Sequence, residues 1–443
     1  MALPFCYSHD GALAIVFDTG YQSDNNKRED GVPALPTHGK PGIAAARRNL
    51  RRHGLVMAAA STAVLAGVAS VAAADARTVP PETIVVGHTR DGRPIHQYRI
   101  ANDHGLSLVL LDYGATMQSI FVPDRSGRDA DVLVHPGDVA HMVGDARRNG
   151  RTVGRYAGRL RGGFTIDGRH FPLAANSAGV TLHGGDPGLD QAVWEGAPFL
   201  TTKETGVAFS LTSPDGSQGF PGTLHILVRY AVDRGSNRIK IGYRATTDRP
   251  TIINLTNHAY YNLAGSGTVG CETLAVGASR YVETDARRLP TGRLPAVAGT
   301  SLDFSRPSRL SDRIAASDPL VAAIGGLDHM LVLDPGGTAQ LTDPRSGRTL
   351  VVSTDQPGLQ VYSGNGFDGS ESDARGMPIA PHAGIALEAG RLPDSPNIAA
   401  FPSAKLRPGQ VYRATTTLRF GVDPESPSPD NDGAAAPECR RAG

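Results

Sequence analysis

Leu224-His-Ile-Leu-Val-Arg-Tyr-Ala-Val232 and Arg238-Ile-Lys-Ile-Gly-Tyr-Arg-Ala-Thr246 decide the fold class of this chain. Apolar side chains recur at every second position in both stretches, the period of a strand that buries one face. Six further segments read the same way: Leu106 to Asp112, Val207 to Thr212, His329 to Leu333, Leu350 to Ser353, Leu359 to Tyr362 and Tyr412 to Phe420. Turn signals fall between them, with Asp-Gly at 167 and 168, Pro-Asp-Gly at 214 to 216 and Pro-Gly at 221 and 222. Long stretches with a 3.6-residue period are missing. The 53 Gly and 32 Pro, with a single Trp, also favour many turns between short strands. The expectation is an all-β protein, with residues 82–422 forming one large twisted antiparallel β-sandwich whose site lies on an open sheet face or its loops.

The charge balance excludes whole classes of partner. With 44 Lys+Arg against 43 Asp+Glu in 443 residues, the net charge is +1, so there is neither a basic track for nucleic acid nor an acidic, solvating chain. A small-molecule partner fits best. Cys6, Cys271 and Cys439 show no CxxC or His-rich spacing, so no metal site is expected. Cys271 and Cys439 are read as two free thiols, with a bridge between them as the alternative.

Residues 47 to 52 read Arg-Arg-Asn-Leu-Arg-Arg, and an uncharged run rich in Ala and Val follows from Leu55 to Ala74. That is the layout of a signal peptide, taken as residues 47–76 with cleavage after Ala74 or Ala76. The expectation is a periplasmic or secreted protein with no stable membrane association after cleavage. The arginine pairs partly match a twin-arginine signal, and the Sec route stays open. Residues 1–46 precede the charged region, and are expected to be a non-native or disordered extension, with Met1 not the true start. Residues 423–443 are polar and Pro-rich and are expected to be a disordered tail.

Two segments carry the chemistry. In Asn254-Leu-Thr-Asn-His-Ala-Tyr-Tyr-Asn-Leu-Ala-Gly265 one His sits among Asn, Thr and Tyr residues, a set able to orient a sugar. In Gly384-Ile-Ala-Leu-Glu-Ala-Gly-Arg-Leu-Pro-Asp-Ser-Pro-Asn397 a carboxylate follows an apolar strand. Taken singly, His258 reads first as a hydrogen-bonded structural histidine, and Glu388 equally well as a strand-end charge facing solvent.

Taken together, and with other motifs in the same order, the chain resembles the aldose 1-epimerase (galactose mutarotase) family. The resemblance runs from Tyr113-Gly-Ala-Thr-Met-Gln-Ser-Ile-Phe-Val-Pro-Asp124 through Gly154-Arg-Tyr-Ala-Gly-Arg-Leu160, Phe164-Thr-Ile-Asp-Gly168 and Leu182-His-Gly-Gly185 to the two segments above. It covers nearly all of residues 82–422. It implies the galactose mutarotase-like supersandwich, which agrees with the strand reading, and the interconversion of α and β anomers of free aldoses such as glucose and galactose. It further implies Glu388 as general base, His258 as general acid, and Arg159, His183 and Asp328 as substrate-binding residues, with Asn176 and Tyr362 as further candidates. No metal or organic cofactor is implied, and the partner is a monosaccharide; oligomeric state is left open. The chain departs from the family pattern at Gly158 and Val180, where the family has Asn, at Gly390, where it has Gln, and in a shorter turn between Arg159 and Phe164. Those changes bear on substrate preference. Two other readings remain: a hexose-phosphate 1-epimerase, which needs Arg or Lys forks for the phosphate, and a non-catalytic carbohydrate-binding protein of the same fold.

Overall fold

The computed structural model describes residues 80–145 and 147–424. The amino-terminal extension, the signal segment and nearly all of the tail read from the sequence lie outside the described residues. Among the described residues the α-helices are three short pieces, Val139–Met142, Leu310–Ile314 and Pro319–Ala322, and no helix is long and apolar enough to cross a membrane.

The alternation in Leu224–Asp233 and Arg238–Thr247 sets the largest sheet. These two strands pair from Leu224 against Thr247 to Val232 against Ile239, and Ile226, Val228, Tyr230, Ile239 and Ile241 turn inward. In spatial order the nine strands are Glu195–Leu200, Glu204–Ser213, Leu224–Asp233, Arg238–Thr247, Tyr412–Val422, Arg348–Thr354, Thr338–Thr342, Thr273–Val276 and Ser308–Arg309. Five strands between Glu82 and Asp131 form a second sheet in simple sequence order. A third sheet has the order Tyr260–Tyr261, Ile385–Gly390, Gly358–Tyr362, Asp328–Leu333, Ala278–Tyr281. Every pairing within these three sheets is antiparallel.

One hydrophobic core joins the three sheets: Ile120 from the second, Val228 and Phe209 from the largest, and Leu331, Val361 and Leu387 from the third all belong to it. The third sheet has a second, polar face. Its register sets Asp328 against Tyr362, Met330 against Gln360, and Gln360 against Glu388. Because strand side chains alternate, these five residues share the face opposite Leu331, Leu359, Val361 and Leu387. The strand Ile385–Gly390 is buried along its whole length, so Glu388 is no strand-end charge: it stands inside a central strand, and other layers cover it.

Arg155 and Tyr230 tie the covering loops to this frame. The Arg155 guanidinium is buried and donates to the carbonyls of Ser213, Pro214, Pro221 and Gly222 at 2.7–3.1 Å, so one cation satisfies backbone carbonyls of two turns at once. The Tyr230 hydroxyl donates to Ala115 O at 2.8 Å and accepts from Asn257 Nδ2 at 3.0 Å, which fixes the residue before His258. Cys271, 6% exposed, is disulfide-bonded, correcting the free-thiol reading; its partner lies outside the described residues. Sequence spacing does not measure distance in the folded chain.

Candidate active site

A cavity of about 440 Å³ opens over the polar face of the third sheet, and Glu388, His258, His183, Arg159, Asp328 and Tyr362 all line it. His258 lies in the link between Thr256–Asn257 and Tyr260–Tyr261. Its backbone is clamped on both sides, donating to Arg151 O and accepting from Gly150 N, each at 2.9 Å. The imidazole Nε2 stands 3.6 Å from Glu388 Oε1, and the ring packs against His183 and Tyr260 with centroids 5.2 and 5.0 Å away. Its Nδ1 is buried without a hydrogen-bond partner.

His183 is placed by a turn that only glycine can complete. A Cβ on Gly184 would lie 2.1 Å from Gly154 O, at a φ of +88°. His183 itself sits at a φ of +53° and donates its N–H to Gly158 O at 3.0 Å, while Gly158 N–H donates to its Nδ1 at 3.3 Å. With Nδ1 accepting, the neutral ring carries its proton on Nε2, a donor suited to a sugar oxygen. Arg159 stands opposite Leu182 in the strand pair Arg159–Arg161 and Val180–Leu182, which brings it beside His183 despite the short turn that follows. Its Nη2 donates to Asp328 Oδ2 at 3.0 Å. Arg288 Nη1 donates to the same oxygen at 2.7 Å, and Gln360 Nε2 to Oδ1 at 2.6 Å.

Burial sets the protonation of the pair. Desolvation, and then the charge of Asp328, push Glu388 up to about 8 against the pull of Arg159 and Arg148. Desolvation and the charge of Arg148 push His258 down to about 4. The 3.6 Å contact is therefore no salt bridge in the resting site, since each group is held toward its neutral form and the two carry one proton between them. His183 is driven well below its ordinary value by burial and by His258, Arg148 and Arg159. Burial would raise Asp328, but Arg159 and Arg288 hold it below the usual carboxylate value.

The donor atoms of His183, His258 and Glu388 lie within 4.8 Å of one another. Ligand atoms on a tetrahedral zinc are only about 3.4 Å apart, so this looser set suits a sugar oxygen between hydrogen-bonding groups better than a closed metal centre.

The aldose 1-epimerase family model matches residues 96–419. Galactose mutarotase of Mus musculus is 35% identical over 338 residues, which span 75% of this chain and 95% of the mouse protein. The chain belongs to the aldose 1-epimerase family. Aldose 1-epimerase of Escherichia coli K12 is also 35% identical, over 74% of this chain and 96% of its own. Among solved structures, an aldose epimerase homologue from C. elegans superposes with a TM-score of 0.68 at 31% identity, covering 74% of this chain and 98% of that one. Galactose 1-epimerase from Lactobacillus acidophilus NCFM reaches 0.70 at 27% identity, covering 78% of this chain and 99% of its own.

For this aldose 1-epimerase family member, Asn176 is the residue that sequence reasoning misplaced. Its side chain is committed to Leu182 N, Leu182 O and Asp186 Oδ2 at 2.7–3.1 Å, so it braces the His183 turn and does not line the cavity. A short amide beside a turn serves the backbone first. Gln360, Arg288 and Arg148 line the cavity and were missed. The period-2 rule applied to Leu359–Tyr362 would have found Gln360, two residues from Tyr362 on the same face.

The displaced proton affinity of Glu388 has a cost that stability measurements can read. A carboxyl whose folded pKa is raised to about 8 contributes fully below its unfolded value and loses that contribution as pH rises through 8. Glu388→Gln therefore melts higher than the parent at pH 8, and the gap narrows toward pH 5. Equal melting temperatures across that range would show that Glu388 is not held in its protonated form.

Proposed function

We propose that the protein is an aldose 1-epimerase that interconverts the α and β anomers of a free aldose, with Glu388 and His258 as its proton-transfer pair. The family membership supports the reaction, and the relatives named for galactose point to six-carbon aldoses as substrates. The observation that carries the mechanism is the buried Glu388–His258 contact at 3.6 Å, where one proton serves two groups in a cavity of sugar size.

Mutarotation needs that economy. The C1 hydroxyl gives its proton to a base as the ring oxygen takes one from an acid, and the bond from C1 to the ring oxygen breaks to leave an open-chain aldehyde. Rotation about C1–C2 turns the other carbonyl face toward the hydroxyl, and closure returns both protons. The pair ends with one proton, as it began, and forms no covalent bond to the sugar. Glu388 acts as base toward the C1 hydroxyl and His258 as acid toward the ring oxygen, with the roles reversed on closure. In the empty site the proton rests on Glu388, so the charged arrangement forms only as sugar oxygens replace the missing solvation. His183 Nε2–H, Arg159 and Tyr362 hold sugar oxygens around the reacting bond.

Freshly dissolved α-D-galactose or α-D-glucose followed by polarimetry tests this. Glu388→Gln and His258→Ala each lose about 10²- to 10⁴-fold in kcat. For the parent, kcat/KM is flat while the pair holds one proton and falls below about 4 and above about 8. A well-folded parent no faster than buffer on these sugars and on the corresponding uronates would leave only carbohydrate binding.

We further propose export to the periplasm or medium. The basic residues 47 to 52, the apolar run to Ala74 and the disulfide at Cys271 support it, since such bridges persist in oxidising compartments. The mature protein then starts at Asp75 or Arg77. An exported protein whose sequenced amino terminus retains residues 47–76, or a protein kept in the cytoplasm, would contradict this.

A further inference from the structure

We propose that this cavity selects aldoses bearing a carboxylate, aldohexuronic acids, and that Arg159 and Arg288 receive that group. The inference rests on the epimerase reading and names its substrate class. Two guanidinium groups meet on one carboxylate oxygen, Asp328 Oδ2, at 3.0 and 2.7 Å. Each spends one nitrogen there, and neither side chain makes another hydrogen bond among the described residues. Asp328 Oδ1 is taken by Gln360. Both oxygens of Asp328 are thus engaged, and the idle groups beside it are N–H donors on two cations that share one carboxylate. A neutral hexose presents hydroxyls that both donate and accept. A carboxylate only accepts, in the planar two-oxygen form that guanidinium groups match.

The charge of the whole cavity points the same way. Arg147 and Arg148 line it but are matched elsewhere, Arg147 by Asp368 and Glu371 at 2.8 Å and Arg148 by Asp186 and Asp190 at 3.1 Å. Arg159, Arg288 and Arg391 remain against Asp328 and Glu388, and burial favours the uncharged form of Glu388. Arg391 forms no ion pair among the described residues, and its Nε is buried without a partner.

Arg288 is also held where an incoming group can meet it. The Asp285 side chain accepts from the backbone N–H groups of Arg287 and Leu289. Arg288 itself adopts a φ of +58°, which L residues rarely do. Its side chain reaches over the rim, 45% exposed, to a buried carboxylate. Gln360 stands opposite Glu388 in the sheet register and donates to Asp328 Oδ1 at 2.6 Å, so the arginine pair lies within one hexose of the reacting bond. In a hexuronic acid the carboxylate is attached to C5, next to the ring oxygen, and it falls in that range.

The test compares kcat/KM for D-galacturonate and D-glucuronate with D-galactose and D-glucose, by polarimetry or NMR exchange, in parent and Arg288→Leu, at low and high salt. The parent favours each uronate over its hexose by about tenfold or more. Arg288→Leu lowers that ratio at least about fivefold, and salt shrinks it. Because Arg288 is partly exposed, a thermal melt confirms that the variant is folded. Hexoses turned over as well as uronates, or a uronate preference that Arg288→Leu does not change, would overturn the assignment while leaving the acid/base reading intact. Faster turnover of glucose 6-phosphate than of glucuronate would overturn the carboxylate in favour of a phosphate. Failure on every sugar would instead remove the epimerase reading on which the inference stands.

Discussion

A carboxylic acid and an imidazole 3.6 Å apart, both cut off from water, hold a single proton easily; holding two or none leaves an uncompensated charge in a medium that solvates it poorly. The rest of the site follows from that constraint. Ring opening and closure is a reaction in which one proton enters as another leaves, so a pair confined to one proton is matched to its stoichiometry. Each group is pushed away from its ordinary range in the direction that keeps the pair neutral, Glu388 up to about 8 and His258 down to about 4. Neutral partners of this kind can exchange roles between opening and closure without a large change in charge.

The fold supplies the burial from both sides. The strand Ile385–Gly390 turns Ile385, Leu387 and Ala389 into the core and leaves Glu388 on the other face. His258 comes from a separate link whose backbone is fastened to Gly150 and Arg151. Neither element can shift alone: one is a central strand, and the other is held through Asn257 and Tyr230 to the largest sheet. The geometry of the pair thereby rests on the packing of the sandwich, with the turn at Leu182–Gly185 adding His183 to the cavity.

Much of this was legible in the sequence because strand alternation is strong. Leu224 to Val232 and Arg238 to Thr246 were read within a residue of the strands Leu224–Asp233 and Arg238–Thr247. The site was legible as a set of motifs, and the cavity gathers Glu388, His258, His183, Arg159, Asp328 and Tyr362. What escaped has physical reasons. A carboxylate inside a fully buried strand defies the usual cost of burying charge, so Glu388 looked like a strand end when read alone. Arg288 lies in a polar turn and looks like a surface cation; only the folded chain brings it to Asp328, 40 residues away. Asn176 looked like a ligand to sugar because an amide's own backbone partners are invisible in the sequence.

The central claim is that Glu388 and His258 act as one proton-carrying unit. Anomer exchange rates from NMR for Glu388→Gln, His258→Ala and the double variant test it most directly. Loss of either partner already breaks the shared transfer, so the double variant should be about as slow as the slower single variant. A double variant whose loss equals the product of the two single losses would show that the residues act independently, contradicting the account.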